Sequence, residues 1–327
     1  MKIGKMPSSK LKEIILNKIG YKRDDVLVHA GIGEDSAVVD LKDQLLVISS
    51  DPITGASKNA GYLAVHVACN DIASAGALPI GIQVILLLPE EIEEKQIALL
   101  MNEITETAAN INVEVLGGHT EILSAVSKPI ICVTAIGKVE KNKYLSSAGA
   151  KPGDEIVVTK GIGIEGTYIL ANEYTELLIE KGVSEETIRK AIKYKDKLSV
   201  IKEGKIAAYL GAHAMHDITE GGLYGAIEEI SKAAGVGFDL NIDNLPITNE
   251  TKEITEALGI DAAGLISSGS MLIVTPNSEV LLKELQSCDI LSAKVGVITE
   301  KNRNIIASGH KKPFKWSNKD ELWRLME

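Results

Sequence analysis

Apolar and polar positions alternate along this chain in two rhythms. In "SAVVDLKDQLLVISSD" the period is two, which predicts two strands joined by a tight polar turn. "IGIQVILLL" and "KPIICVTAIGKV" are short apolar runs of strand length. Between them "EEIEEKQIALLMNEITETAANI" follows the helical period, and "VEVLGG" predicts a short strand entering a glycine turn. A first amphipathic helix is expected from Ser8 or Ser9 through Ile19, closed by Gly20, and a second from about Lys58 to Ala75. The first half thus holds roughly four core strands and two long helices.

"SSAGAKPGDEIVVTK" reads as a boundary, because small turn-forming residues from Ala148 to Gly153 precede a new strand. We therefore expect one domain over 1–150 and a second over 151–327. In the second, strands are expected near Glu155–Thr159, Ala212–His216, Gly237–Leu240, Ser270–Thr275 and Ala293–Ile298, with helices between them. The closing stretch "HKKPFKWSNKDELWRLME" is expected to dock as a short helix. The fold class is mixed, α+β or α/β, in two domains.

Composition narrows the function. The 327 residues carry a formal net charge of −10 and no basic run beyond short pairs such as Lys311 and Lys312, which argues against nucleic-acid binding. The long apolar stretch before Pro89 is broken by Gly76, Pro79 and Gly81, so a buried helix, a turn and a strand are expected, not a membrane span. Cys69, Cys132 and Cys288 show no metal-type spacing and suit reduced thiols in a cytoplasmic protein.

One residue stands out against this pattern. In "GYLAVHVACNDIASAGALPIGIQVILLLP" the only formal charge is Asp71. A buried carboxylate is costly unless it is hydrogen-bonded, paired or bound to a cation. It is either a hydrogen-bonded core acid or a ligand for a hard cation such as Mg²⁺, which takes carboxylate and phosphate oxygens. Other acids interrupt apolar contexts nearby. Glu34 and Asp35 follow a glycine turn, and Asp51 ends a strand before Pro52. Each alone is an ordinary turn residue; together they are candidate ligands.

Two glycine pairs come next. In "VLGGHTEI", Gly117 and Gly118 permit close backbone approach, and His119, Thr120 and Glu121 offer polar atoms at the same turn or simply satisfy it. In "HDITEGGLYGAIEEISKAAG", Thr219 is a candidate cap, and Gly221 and Gly222 expose amides at a helix N-terminus. With Asp217 and Glu220 beside them, that turn suits a metal-bound phosphate better than a bare anion; the alternative is a plain capped helix. "VVTKGIGIEGTYILA" matches the dinucleotide fingerprint at Gly161, Gly163 and Gly166, but a charged helical stretch follows where a strand ending in an acid is required, so no dinucleotide site is expected.

The ordered set "GEDSAVVD", "SSDPIT", "VACNDIASAGALP", "GGHTEI", "HDITEGGLYGAIEEIS" and "SSGSMLIVTP" resembles the aminoimidazole-ribonucleotide synthetase superfamily. That group includes HypE-like hydrogenase maturation proteins, thiamine-monophosphate kinase and selenophosphate synthetase. The likeness is strongest to the HypE-like branch. It implies a two-domain (PurM-like) architecture, with first domains pairing in a homodimer to form a joint β-barrel. It implies ATP and Mg²⁺ in the cleft between domains, and phosphoryl transfer to a substrate oxygen of an amide or carbonyl. By motif position it implies Asp35, Asp51 and Asp71 as Mg²⁺ ligands, with Asn70 beside them. It implies Asp217 and the Gly221–Gly222 turn on the far side, and Lys5 as a phosphate-binding lysine. Asp71, Asp217, His119 and Glu121 are the expected catalytic groups, and Lys5, Asn70, Gly117, Gly118, Thr219, Gly221 and Gly222 the nucleotide contacts.

The chain also departs from the pattern. His119 stands where the maturation proteins and the thiamine-phosphate kinases carry Asp, so one metal ligand is expected to be either lost or replaced by Glu121, and Glu220 stands where HypE proteins tend to carry Arg. HypE proteins end in a modified cysteine, whereas this chain ends "LWRLME", so a different acceptor is expected. The alternatives are a small-molecule kinase of the thiamine-monophosphate type and a nucleotide-binding maturation partner without chemistry of its own.

Overall fold

The computed structural model describes residues 8–14, 16–18, 23–53 and 59–325. Lys5 and Gly20 lie outside them. The first helix is shorter than expected: α1 (Ser8–Ile14) is followed by a 3₁₀ turn at Leu16–Lys18.

Six strands form the first sheet: β1 (Val26–Val28), β2 (Ala37–Asp40), β3 (Leu45–Ile53), β4 (Leu78–Leu88), β5 (Glu114–Ile122) and β6 (Ile130–Val139). Their order is β1-β2-β3-β6-β4-β5. Every pairing is antiparallel except β4 with β5. Those two are parallel because helix α3 (Glu94–Asn110) crosses over between them. Glu93 and Gln96 close a capping box at the start of α3. Helix α2 (Ala60–Ser74) covers the inner face of the sheet, where Val47, Ile82, Leu86, Ile131 and Val133 are buried with Val65, Ala68 and Ile72.

Seven strands form the second sheet: β7 (Glu155–Thr159), β8 (Ala214–Ile218), β9 (Gly237–Asn241), β10 (Ser270–Thr275), β11 (Ser292–Thr299), β12 (Arg303–Ala307) and β13 (His310–Pro313). Their order is β13-β12-β9-β11-β7-β10-β8. Both faces are covered. Among the described residues the helices of this half are α4 (Ile164–Glu173), α5 (Thr175–Glu180), α6 (Glu185–Ile192), α7 (Ile201–Tyr209), α8 (Gly222–Ala234), α9 (Asn249–Leu258), α10 (Ser278–Ser287) and α11 (Glu321–Leu325). Helix α8 packs on one face against Ile218, Phe238 and Leu272, and α7 and α10 pack on the other against Met215, Met271 and Ile273.

Helix α2 is the hinge piece of this arrangement. It is buried nearly all round because the first sheet lies on one side and the second domain on the other. Small residues make that possible. A Cβ at Gly204 of α7 would lie 2.6 Å from the Ala73 carbonyl oxygen, so only glycine lets the helices approach this closely.

Three expectations need correction. "VEVLGG" does not end in a turn: β5 runs straight through Gly117, Gly118, His119, Thr120 and Glu121. Gly118 lies against the backbone of β4, where any side chain would collide with the Val84 carbonyl. β8 begins at Ala214, two residues later than expected, and carries His216 and Asp217 inside the strand. The C-terminal stretch contributes strand β13 as well as helix α11. β13 was not anticipated, nor were β1 and β12, because these strands are only 4, 3 and 5 residues long, too short for a periodic signal.

Candidate functional site

Asp71 lies on the last turns of α2, fully within the protein, where the helix passes between the two sheets. Its Oδ2 accepts the Ser49 hydroxyl from β3, and it shares a hydrogen bond with Asp51, also on β3. Burial is the main force raising its pKa well above the ordinary carboxylate range; the charges of Asp217, Asp51 and Asp35 add to it. Four acids from four separate segments therefore converge at one place. Asp35 comes from the loop before β2, Asp51 from β3, Asp71 from α2 and Asp217 from β8.

The local sequence explains the convergence. Gly33 has φ +80°, and a Cβ there would lie 2.5 Å from the Glu229 carbonyl oxygen on α8. That glycine seats the 31–35 loop of the first domain against a helix of the second and delivers Asp35 to the cleft. The loop is tied again where the Ser146 hydroxyl donates to Glu34 Oε1 at 2.6 Å. Asp51 and Ser49 share one face of β3 by period two, the face turned toward α2.

His216, absent from the expected site, stands in the middle of it. Its Nε2 is 3.0 Å from Asp35 Oδ1 and 3.1 Å from Glu229 Oε2, and its Nδ1 is 2.7 Å from the Asp217 backbone carbonyl oxygen. Burial alone would push this imidazole down; Asp35, Glu229 and Asp217 outweigh it and hold it at about 10. Asp35, His216 and Asp217 each place one ligand-type atom within 4.8 Å of the others. Glu165, at the start of α4, is a further missed acid. It is buried, bonded to Ser268, and raised first by desolvation, with Asp217 and Glu220 contributing.

Several expected contacts are spent elsewhere. Asn70 is fully buried; its Nδ2 donates to the Leu198 carbonyl at 2.8 Å and its Oδ1 accepts the Val200 N–H at 2.9 Å. It ties α2 to the second domain. His66, one turn earlier, is buried beside Tyr62 and pushed down to about 4 by burial and Lys160, so it is neutral. Thr219 does not cap α8 with its side chain; its carbonyl accepts the Gly222 N–H at 3.0 Å.

The Gly221–Gly222 turn is likewise not an open anion cradle. Gly221 is the N-cap of α8 at φ +89°, and its N–H donates to Asp320 Oδ2 at 2.6 Å. Trp316 lies over Gly221, and a Cβ at Gly222 would be 2.6 Å from the Ala263 carbonyl oxygen. The glycines serve close packing of the C-terminal segment. Asp320 also accepts the Leu322 and Ile266 amides, yet burial pushes it up to about 7.

Gly117, Gly118, His119 and Glu121 sit on edge strand β5, away from these acids. His119 and Glu121 are mostly exposed, 3.6 Å apart, and absent from the groups acting on Asp71. β5 pairs them with Ile85 and Leu87 on β4, so all four share the outer face of the sheet. Gly163 and Gly166 of the fingerprint-like turn pack tightly on Leu265 at the start of α4, which accounts for the glycines without a dinucleotide.

Comparison with known proteins follows the same division. The family model described as AIR synthase related protein, N-terminal domain, matches residues 33–139, and its C-terminal counterpart matches 151–308. A hydrogenase expression/formation protein of Methanocaldococcus jannaschii is 28% identical over 288 residues, 84% of this chain and 81% of that one. The carbamoyl dehydratase HypE of Rhodobacter capsulatus is 24% identical, covering 77% and 72%. Among solved structures, HypE in a HypE–HypF complex superposes with a TM-score of 0.74 at 20% identity, covering 94% of this chain and 99% of that one. HypE in complex with ATP gives 0.72 at 19%, covering 97% and 96%. The thiamine-monophosphate kinase relative ThiL, complexed with AMPPCP and TMP, gives 0.71 at 23%, covering 89% and 91%.

Proposed function

Because the chain belongs to the AIR synthase related family, whose two domain models together span most of it, we propose that it is an ATP- and Mg²⁺-dependent enzyme that transfers the terminal phosphoryl group to a substrate oxygen. The observation that carries this reading is the convergence of Asp35, Asp51, Asp71 and Asp217 between the domains. Carboxylates that raise the pKa of a buried neighbour, as Asp217, Asp51 and Asp35 do for Asp71, favour a cation among them. The four acids offer the oxygen donors that Mg²⁺ takes and are the residues that would hold it; among the described residues the ligand-type atoms within 4.8 Å of one another are those of Asp35, Asp217 and His216. When bound, the ion supplies charge neutralisation and orientation to the triphosphate.

The remaining groups act as scaffold. Ser49 fixes the Asp71 carboxylate, Asn70 anchors α2 to the 198–200 loop, and Gly33 keeps Asp35 at the domain junction. Phosphoryl transfer depends on such positioning more than on covalent help from the protein. The acceptor is an amide or carbonyl oxygen, small or protein-borne, as the likeness to a carbamoyl dehydratase supports. A maturation partner is supported by the HypE–HypF neighbour. We place the domain boundary at residue 150, between β6 and β7.

A homodimer is part of the same reading. Leu78, Ile80 and Ile85 of β4 and Leu116 of β5 are 38–51% exposed, an apolar surface that a second copy would cover. His119 and Glu121 would then stand at the interface. All three cysteines are free thiols, and among the described residues no helix is long and apolar enough to cross a membrane, which supports work in the cytoplasm.

The test is product analysis. With Mg²⁺, ATP and a panel of carbamoyl and carboxamide acceptors, ³¹P NMR should show ADP with free phosphate. A stable phosphoryl ester would reassign the protein to the kinase type. ATP binding without turnover on any acceptor would favour a non-catalytic partner. Absence of Mg²⁺-dependent nucleotide binding would overturn the proposal.

A further inference from the structure

We propose that the seam between the domains, at the end of α2, carries a docking site for an acidic segment of a partner protein. The site goes beyond the nucleotide reading and does not depend on it. A cavity of about 710 Å³ opens there. One wall is the turn at 76–77 that links α2 to β4, together with the end of β6; the other is α7 and the end of α10. The cavity follows from the small residues through which the domains meet. Gly76 has φ +72°, and a Cβ there would lie 3.2 Å from the Ala208 Cβ, so the turn and α7 touch through side chains too small to fill the space beside them. The floor is apolar: Ala77 and Val139 are buried, and Ile201, Ile206 and Leu210 are half-buried.

Charge sets the rim apart from the rest of the molecule. The chain carries −10, yet the cavity is lined by Lys138, Lys143, Lys202 and Lys205 against Glu140 and Glu284. Lys143 pairs with Glu140 at 2.8 Å, and Lys202 Nζ donates to the Cys288 carbonyl at 3.3 Å. Among the described residues no ion pair engages Lys138, Lys202 or Lys205. A positive rim on an acidic protein selects an anionic partner. It disfavours a second copy, because in a two-fold pair the same lysines would face one another. Tyr209 stands at the end of α7, 86% exposed, the one aromatic among the large exposed apolar side chains of the described residues. A bare tyrosine beside an apolar floor and a charged rim is the arrangement of an interface anchor. The lysines come from β6, the loop after it and α7, so both domains contribute. A segment with several carboxylates meets them together, whereas a single small anion meets one or two. The occupant is therefore acidic along its length, with an apolar side chain seated over Ala77 and Ile206.

The test is fluorescence anisotropy with the full chain and a fluorescein-labelled peptide made of Glu and Asp with Leu-Phe-Leu at its centre. The peptide should bind, and its affinity should fall at least fivefold as ionic strength rises from 0.05 to 0.2 M. Lys138→Glu combined with Lys205→Glu should weaken binding at least tenfold, and Tyr209→Ala at least fivefold. All three side chains are exposed, so the melting temperature should hold. Mg²⁺-dependent ATP binding should stay near wild type in these variants, which keeps this test apart from the nucleotide reading. A peptide with Ser-Gly-Ser at its centre should bind at least fivefold more weakly, because charge alone does not fill the cavity. No binding of the Leu-Phe-Leu peptide at 1 mM, or an affinity indifferent to the lysine reversals or to Tyr209→Ala, would overturn the proposal. So would sedimentation in which the lysine reversals break self-association, since the occupant would then be a second copy. Octanoate that binds at these lysines where the peptide does not would overturn it too, since the occupant would then be a small anion.

Discussion

The domain junction and the outer face of the first sheet carry the same residue types and treat them oppositely. At the junction, Asp35, Asp51, Asp71, Asp217 and His216 are drawn from four short segments into one cluster. On β5, His119 and Glu121 are exposed on one face of the strand and lie 3.6 Å from each other. The difference lies in what surrounds them. Buried ionisable groups must find partners, so the fold that buries them also brings them together. Exposed ones are solvated and acquire a role only if another surface arrives.

This contrast can be attacked directly. The largest effect is expected from Gly118→Val on β5, because the new side chain would collide with the Val84 carbonyl and unzip the edge pairing. The loss of stability should exceed about 3 kcal/mol, read by urea unfolding. Next comes Asn70→Ala at the junction. It removes two buried hydrogen bonds to the 198–200 loop and should cost about 2–4 kcal/mol, while Mg²⁺ affinity of the folded protein stays near wild type. A larger metal effect would mean that Asn70 is a contact and not a scaffold.

The pH dependence sharpens the buried side. Asp320 titrates at about 7 in the folded chain and near an ordinary carboxylate value when unfolded. The folded state holds its proton longer, so this contribution is full below about pH 4 and is lost as pH rises to about 7. His216 is held at about 10, so its contribution is present below about 6.5 and lost as pH rises through about 10. Metal-free protein should therefore lose stability steadily from mildly acidic to alkaline pH, and Asp320→Asn should flatten the lower part of that slope. Thermal melts across pH report both. The smallest effect is expected from His119→Ala with Glu121→Ala: monomer stability should change by less than about 0.5 kcal/mol, whereas sedimentation should show weaker self-association.

Much of the fold was legible because its long elements announce themselves. β3, β4, α2, α3 and β6 have strong periodic or continuous apolar patterns. Asp71 was legible for the converse reason, as the one charge in such a pattern. What sequence reading could not supply was partnership across distance. Gly117–Gly118 looked like a turn because glycine pairs usually are, but Gly118 is required by close approach of two strands. Gly221–Gly222 looked open because nothing nearby in sequence shows that Asp320, 99 residues away, takes the first amide. His216 and Glu229 read as ordinary strand and helix residues; only the meeting of β8, α8 and the 31–35 loop gives them a role. Glu165 was hidden inside a glycine pattern read for its spacing alone.

The central claim is that four acids form one cation-dependent nucleotide site, and titration calorimetry of ATP with and without Mg²⁺ tests it on wild type and Asp71→Asn. Wild type should bind ATP tightly only with Mg²⁺. The variant should keep its melting temperature, or gain a little as repulsion is relieved, and lose at least tenfold in Mg²⁺-dependent affinity, about 1.4 kcal/mol. Equal affinity in the two proteins, or ATP binding indifferent to Mg²⁺, would contradict the account.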